Sequence, residues 1–296
     1  MTAGAGAEGD ALAAQASDLD LKAQVRGLVQ AVADTQRLAE ETQQRVRALE
    51  AELQELRASC GKGALDGWGP RFAAIYDAFT DRFRGSTAEV RAKLEGYLPD
   101  VRRLVGTGGV VDLGCGRGEW LTLLRDAGVP CSGVDANPRF VAAGRARGLD
   151  IELSDAIGHL QGLPPDSVDM VTAFHLIEHL GTEELLALLD AARRALRPGG
   201  CLLLETPNPA NLVMAACDFY NDPTHRSPLP SALMEYLVST QGFGDIEVRP
   251  LHPKLSPFTL YSGDGVSPQM YEVLSQLLWG PQDYAVLGYK RSNQDA

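Results

Sequence analysis

The stretch Val110-Val111-Asp112-Leu113-Gly114-Cys115-Gly116-Arg117-Gly118-Glu119-Trp120 decides the fold. A short β-branched run meets three closely spaced glycines and then a helix-forming segment. Glycine is needed where the backbone takes positive φ or comes close to a ligand. In an open parallel sheet such a loop lies at the carboxyl end of a strand, where ligands bind. The spacing is G-x-G-x-G rather than the G-x-G-x-x-G of dinucleotide folds, and Glu119 stands where a third small residue would be required. Asp112 closes the first strand just ahead of the loop, a place suited to a ligand ammonium group or an ordered water. Asp135 ends the second predicted strand, the position of an acid that binds both ribose hydroxyls. An adenosyl ligand without a pyrophosphate fits this pair better than NAD does.

Outward from the loop, the text alternates strand and helix. Strands are predicted at 110–113, 131–135, 151–153, 168–174 and 201–205. Helices are predicted at 119–127, 138–147 and 182–196, the last stopped by Pro198-Gly199-Gly200. This alternation means an α/β fold with a parallel sheet covered on both faces. Upstream, Phe72, Ile75, Phe79 and Phe83 recur at helical spacing over 70–83, and a second helix is expected over 87–98. Beyond Gly242 the pattern is broken by Pro and Gly and is read only as an extension, 251–296, that completes the sheet or the substrate pocket.

The N-terminal part reads differently. Residues 1–20 are Ala/Gly-rich and acidic, the composition of a disordered tail. From Leu21 through Val25, Leu28, Val32, Thr35, Ala39, Thr42, Val46, Leu49 and Leu53 to Leu56, apolar and small residues fall at alternating spacings of four and three. That is a heptad seam of about five repeats, expected to form a coiled-coil helix over 21–60 and to join copies of the chain through 21–57. Residues 61–108 are read as a helical cap over the cofactor and 109–250 as the catalytic core.

Composition narrows the function. Among 296 residues, 45% are apolar and 22% charged, ordinary values for a globular protein. No apolar run is long enough for a membrane span, and the N-terminus lacks the cationic start and apolar core of a secretory signal. The net charge of −12 does not favour a sequence-independent grip on nucleic acid. The five cysteines are scattered, without Cys-x-x-Cys, which fits neither a zinc pattern nor a disulfide framework and points to a reducing cytoplasm.

The glycine loop, Asp135, Ser154-Asp155-Ala156 after the third strand and Arg197-Pro198-Gly199-Gly200 before the fifth together resemble the class I S-adenosylmethionine-dependent methyltransferases over residues 105–206. The resemblance implies a Rossmann-like seven-stranded methyltransferase sheet with its last strand antiparallel. It implies S-adenosyl-L-methionine as cofactor, held by Asp112, Gly114, Gly116, Asp135, Asp155, Ala156 and His175. Arg84 is added as a guanidinium able to clamp the methionine carboxylate.

The acceptor side rests on Phe174-His175-Leu176-Ile177-Glu178-His179-Leu180, on Glu205-Thr206-Pro207-Asn208-Pro209 and on Asp222-Pro223-Thr224-His225. His175-x-x-Glu178-His179 also spells a zinc-peptidase pattern, but that chemistry needs a long helix and this segment follows a strand. Moving a methyl group to a sugar hydroxyl requires removal of a proton of high pKa, work for a histidine base or for a divalent metal such as Mg. Glu178, His179 and His225 can serve as catalytic groups or as metal ligands, and both roles stay open. With Phe83-Arg84-Gly85-Ser86, Pro228 and Pro230, these motifs resemble bacterial polysaccharide-modifying methyltransferases over about 70–260, including O-antigen chain terminators and the mycobacterial methylmannose polysaccharide enzyme. That resemblance implies a glycan acceptor whose chain end is capped or marked by O-methylation. The chain lacks the terminators' kinase domain, which favours a free sugar hydroxyl over a phosphate. The alternatives are RNA 2′-O-methylation and a coiled-coil scaffold carrying an inactive cofactor-binding domain.

Overall fold

The computed structural model describes residues 82–255 and 267–291, together with 30, 37, 44, 45, 75, 76, 78 and 79. The chain divides into two compact units, Met1–Phe83 and Arg84–Ala296. In the first, the described residues are helical. Tyr76 and Phe79 stack at 5.9 Å between ring centroids, and Phe79 and Phe83 at 4.7 Å. These contacts follow the helical periodicity expected over 70–83. The heptad seam itself lies outside the described residues.

The second unit opens with α1 (Thr87–Leu94), capped by Ser86 and Glu89 in a reciprocal capping box. A 3-10 turn, Glu95–Tyr97, leads into α2 (Leu98–Leu104). The single helix expected over 87–98 is thus broken. Pro99 has no backbone N–H to continue the α1 ladder and instead sits in the first turn of α2. Then come β1 (Val110–Leu113), α3 (Glu119–Asp126), β2 (Cys131–Asp135), α4 (Pro138–Ala146), β3 (Ile151–Leu153), α5 (Ala156–Gly162), β4 (Val168–Phe174), α6 (Thr182–Ala195) and β5 (Leu196–Pro207). The tail adds α7 (Leu212–Ala216), α8 (Ser231–Thr240), β6 (Phe243–Pro253), α9 (Pro268–Trp279) and β7 (Pro281–Lys290).

The seven strands form one sheet in the order β3-β2-β1-β4-β5-β7-β6. Strands β1 to β5 are parallel, and β7 runs antiparallel to both β5 and β6. The seven-stranded Rossmann-like architecture is as expected. Fully buried β4 lies at its centre, and one apolar cluster gathers Val171, Leu188, Leu202, Val238 and Phe243 from sheet and helices. Leu188 is wholly buried, so truncating it to Ala would cost about 2–5 kcal/mol.

Strand β5 begins earlier than the expected 201–205. Leu196 already pairs with Val168, but the register shifts before Cys201 meets Met170. The slack is Arg197-Pro198-Gly199-Gly200, which has a structural task. Buried Asp169 accepts from the amides of Gly106 (2.8 Å) and Gly109 (2.9 Å) and pairs with Arg197, whose guanidinium also donates to the Leu104 carbonyl at 2.7 Å. Two features of the topology place the site. The strand order reverses between β1 and β4, which opens a crevice at their carboxyl ends. Because β7 is antiparallel, its first residues reach that same edge, where Asp283 pairs with Pro207 of β5 and Leu251 of β6. Among the described residues, no helix is long and apolar enough to cross a membrane.

Candidate active site

The cofactor side is built from backbone. Gly114, Gly116 and Gly118 all take positive φ, at 63°, 53° and 74°. A Cβ on Gly116 would stand 2.7 Å from a terminal nitrogen of Arg84. Arg84 therefore lies against the loop. Asp135 closes the loop from the other side: Oδ2 accepts the Gly116 amide and Oδ1 the Asn137 amide, both at 2.7 Å. Asp112 is buried beneath and accepts from Thr172 Oγ1 at 2.8 Å. Burial raises its pKa to about 7, against the opposing pull of Thr172 and Arg84. A ligand ammonium group would relieve that penalty. Asp155 and Ala156 lie at the exit of β3, where Asp155 caps α5 and its Oδ1 accepts the Gly158 amide at 2.7 Å. These observations fit an adenosyl-methionine ligand: a guanidinium, a buried acid short of a cation, an acid for a diol and a loop with no room for side chains.

The acceptor side is built from side chains. His175 follows β4 with φ 53°, unusual for a residue other than glycine. Ile177–His179 forms a 3-10 turn rather than the long helix of a peptidase. Glu178 is completely buried, and Thr206 Oγ1 donates to its Oε2 at 2.9 Å. Its Oε1 has no hydrogen-bond partner. That atom lies 3.4 Å from His175 Nδ1 and 3.9 Å from His225 Nε2.

The hydrogen bonds define the tautomers of the other two histidines. Thr224 Oγ1 donates to Asp222 Oδ1 at 2.6 Å, so at 2.8 Å it accepts from His179 Nδ1. His225 Nδ1 donates to the Phe219 carbonyl at 2.7 Å. Each ring thus keeps its lone pair on Nε2. The rings meet edge to face at 4.7 Å, and one ligand atom each from Glu178, His179 and His225 falls within 4.8 Å of the others. Burial lowers the pKa of His225, only partly opposed by Glu178, so its ring favours the neutral form. A neutral Nε2 facing Glu178 Oε1 at 3.9 Å sets one electron pair against another. A divalent cation between them would satisfy both atoms, and the donor set of Glu178, His179 and His225 fits one.

The structure brings together every acceptor-side residue expected from the sequence and adds others. His175 Nε2 lies 3.4 Å from Glu205 Oε1, and Tyr97 donates to Glu205 Oε2 in a short hydrogen bond. His252 Nδ1 bonds Asp283 Oδ2 at 2.9 Å. Burial opposes charge on the His175 ring, but Glu178, Glu205 and Asp283 outweigh it and hold the pKa well above the ordinary histidine value. Tyr97, His252 and Asp283 carried no site signal in the sequence. Glu205 opened a quoted acceptor-side motif without a role of its own, and His252 and Asp283 fell in the unread tail.

With this geometry described, comparison with known proteins identifies the family. The profile of the methyltransferase-domain family matches residues 72–248. The chain belongs to this family of S-adenosylmethionine-dependent methyltransferases. It is 35% identical over 136 residues to a probable S-adenosylmethionine-dependent methyltransferase of Mycolicibacterium smegmatis, covering 45% of this chain and 51% of that one. It is 30% identical over 113 residues to a ubiquinone biosynthesis O-methyltransferase of Xanthomonas campestris, covering 36% of this chain and 46% of that one. The chain thus spans about half the length of these curated relatives. A crystal structure of an S-adenosylmethionine-dependent methyltransferase from Archaeoglobus fulgidus superposes with a TM-score of 0.65 at 31% identity, over 73% of this chain and 99% of that one. The cofactor expected from the glycine loop is the one that defines the family.

Proposed function

We propose that this methyltransferase O-methylates a sugar hydroxyl of an oligo- or polysaccharide, with a divalent cation held by Glu178, His179 and His225. One observation carries the metal-assisted O-transfer: the Nε2 lone pair of His225 faces the unpartnered, buried Oε1 of Glu178 at 3.9 Å. Support for a glycan is the resemblance of the motifs at 83–86, 174–180, 205–209 and 222–225 to polysaccharide-modifying enzymes. Pairing through the heptad seam 21–57 belongs to the same proposal.

When bound, S-adenosylmethionine supplies an electrophilic methyl group, and a divalent cation lowers the pKa of a hydroxyl that it coordinates. The chain's residues do the remaining work. Asp112, Arg84 and the turn from Gly114 to Gly116 hold the methionine end. Asp135 receives the ribose, and Asp155 and Ala156 border the adenine. His175 stands between the two halves. Asp222 and Thr224 orient His179, and the Phe219 carbonyl orients His225. These bonds keep both Nε2 atoms available as ligands, and without a metal the same lone pairs accept the hydroxyl proton. Alignment of the acceptor oxygen supplies much of the rate.

A phenolic acceptor is the second reading, favoured by the relative named a ubiquinone biosynthesis O-methyltransferase. Methyl transfer to short mannosides, other oligosaccharides and catechols, each assayed with Mg²⁺ and with EDTA, tests both. Glycan product that disappears with EDTA is the expected result. Product on catechols alone selects the phenolic reading. Product that survives EDTA removes the metal and leaves the histidine base.

A further inference from the structure

A second set of donors stands beside Glu178, His179 and His225. One ligand atom each from His175, Glu205 and Asp283 lies within 4.8 Å of the others. They come from the end of β4, the end of β5 and the start of β7. Each has an outer atom that faces a further polar group. The Nδ1 of His175 faces Glu178 Oε1 at 3.4 Å, Glu205 Oε2 accepts from Tyr97, and Asp283 Oδ2 is bonded by His252 Nδ1 at 2.9 Å. An inner atom is left on each of the first two, and His175 Nε2 and Glu205 Oε1 approach to 3.4 Å. This is the layout of a metal centre seen from outside: ligands in the middle, with carboxylate, phenol and imidazole behind them.

We infer that His175 Nε2, Glu205 Oε1 and a carboxylate oxygen of Asp283 form a second divalent-cation site, adjacent to the Glu178–His179–His225 set and linked to it through Glu178.

A further observation supports a ligand here, at the atom that joins the two sets. Glu178 Oε1 is wholly buried, has no hydrogen-bond partner and points at His175 Nδ1. A cation that displaces the proton from Nε2 would leave Nδ1–H facing this atom, as in carboxylate–histidine–metal arrangements. Charge points the same way. Glu205 and Asp283 are both nearly inaccessible, and His252 Nδ1 reaches both, at 3.8 and 2.9 Å. Two close carboxylates in a low dielectric need compensating positive charge, which the His175 ring supplies until a bound cation displaces its proton. Lys93, 3.9 Å from Asp283 and half exposed, supplies little. The His175 side chain keeps 39% of its surface open, so the site has an entrance. One imidazole nitrogen with two carboxylate oxygens suits Mn²⁺ and its neighbours better than an all-oxygen cation such as Ca²⁺.

The test is Mn²⁺ binding to the full-length, EDTA-stripped protein, followed by electron paramagnetic resonance and isothermal titration. Two Mn²⁺ per chain are expected. Glu205→Gln and Asp283→Asn should each leave one, while His179→Ala with His225→Ala should also leave one, now coupled to a single imidazole nitrogen. His252→Ala, which removes only an outer partner, should weaken the second Mn²⁺ by about 10–100-fold. Thermal melting and S-adenosylmethionine binding verify that each variant is folded, and Asp283→Asn replaces Glu205→Gln if the latter unfolds. A single Mn²⁺ that survives Glu205→Gln and Asp283→Asn but not the double histidine variant overturns the second site and leaves the first. A single Mn²⁺ with the opposite sensitivity supports the second site and overturns the first. No binding at all overturns both.

Discussion

The glycine loop and the imidazole cluster meet at one edge of the sheet, but they are assembled in different ways. The loop is nearly contiguous: Asp112 to Gly118 in one stretch, with Asp135 bonded back to the Gly116 amide across the β1–β2 pair. Its function is encoded in backbone conformation. The cluster draws on α1 to α2, β4, β5, the 218–225 loop, β6 and β7, and its function is encoded in side-chain atoms aimed at one another. A local element tolerates change elsewhere in the chain. A convergent element depends on sheet register, because a shift of one residue sends a side chain to the other face.

This difference predicts where damage will be greatest. Glu178→Gln or the double variant His179→Ala/His225→Ala should lower methyl transfer by about 10²–10⁴-fold, with S-adenosylmethionine affinity nearly unchanged in calorimetry. Equal loss of both would mean that the two regions form one unit. Asp135→Ala should do the converse. It removes the acceptor of two backbone amides and the acid proposed to bind the ribose, so cofactor affinity should fall by about 100-fold, two hydrogen bonds to charge at about 1.5 kcal/mol each, while Mn²⁺ binding persists. Normal turnover at low cofactor would refute the ribose assignment.

The next effect is a pH dependence. Burial raises the Asp112 pKa to about 7, and only its ionised form attracts an ammonium group. Cofactor affinity should therefore rise with pH through about 7 and level off above it, dropping by up to about tenfold for each unit below. Asp112→Asn should flatten that profile, and an unaltered slope would assign it to another group. The smallest effect concerns Asp155. Loss of its cap on α5 in Asp155→Ala should cost about 1 kcal/mol of stability, seen as a small drop in melting temperature. Asp155→Asn should keep the cap, so any affinity lost in that variant reports the adenine contact alone.

Much of the first region was legible in the sequence, for a physical reason. β1 to β3 are short and bounded by Gly, Pro or Asp, and β4 is a seven-residue buried run, so strand, turn and helix each announce themselves locally. The tail was harder. In β7, Asp283 to Gly288 are buried on both faces, so alternation is absent. In β6, only Phe243 is buried and half-exposed and exposed residues follow it, while Asp245 and His252 take positive φ. His252 and Asp283 consequently looked like ordinary residues of a Pro- and Gly-interrupted extension. Tyr97 drew no reading of its own in the sequence, and most of its ring is core: it packs on Trp120 and Phe174 at 6.4 and 5.5 Å. Only its hydroxyl belongs to the site.

The sequence by itself determined the parallel half-sheet, the ligand class at its glycine loop and the candidacy of Glu178, His179 and His225, because these rest on local backbone preference and on residue types at short spacing. The tertiary structure alone decided which nitrogen of each imidazole is available, and that Glu205, Asp283, His252 and Tyr97 stand around His175. Those facts depend on the antiparallel return of β7, which carries the start of the last strand to the carboxyl ends of the parallel ones, and no local preference encodes that meeting.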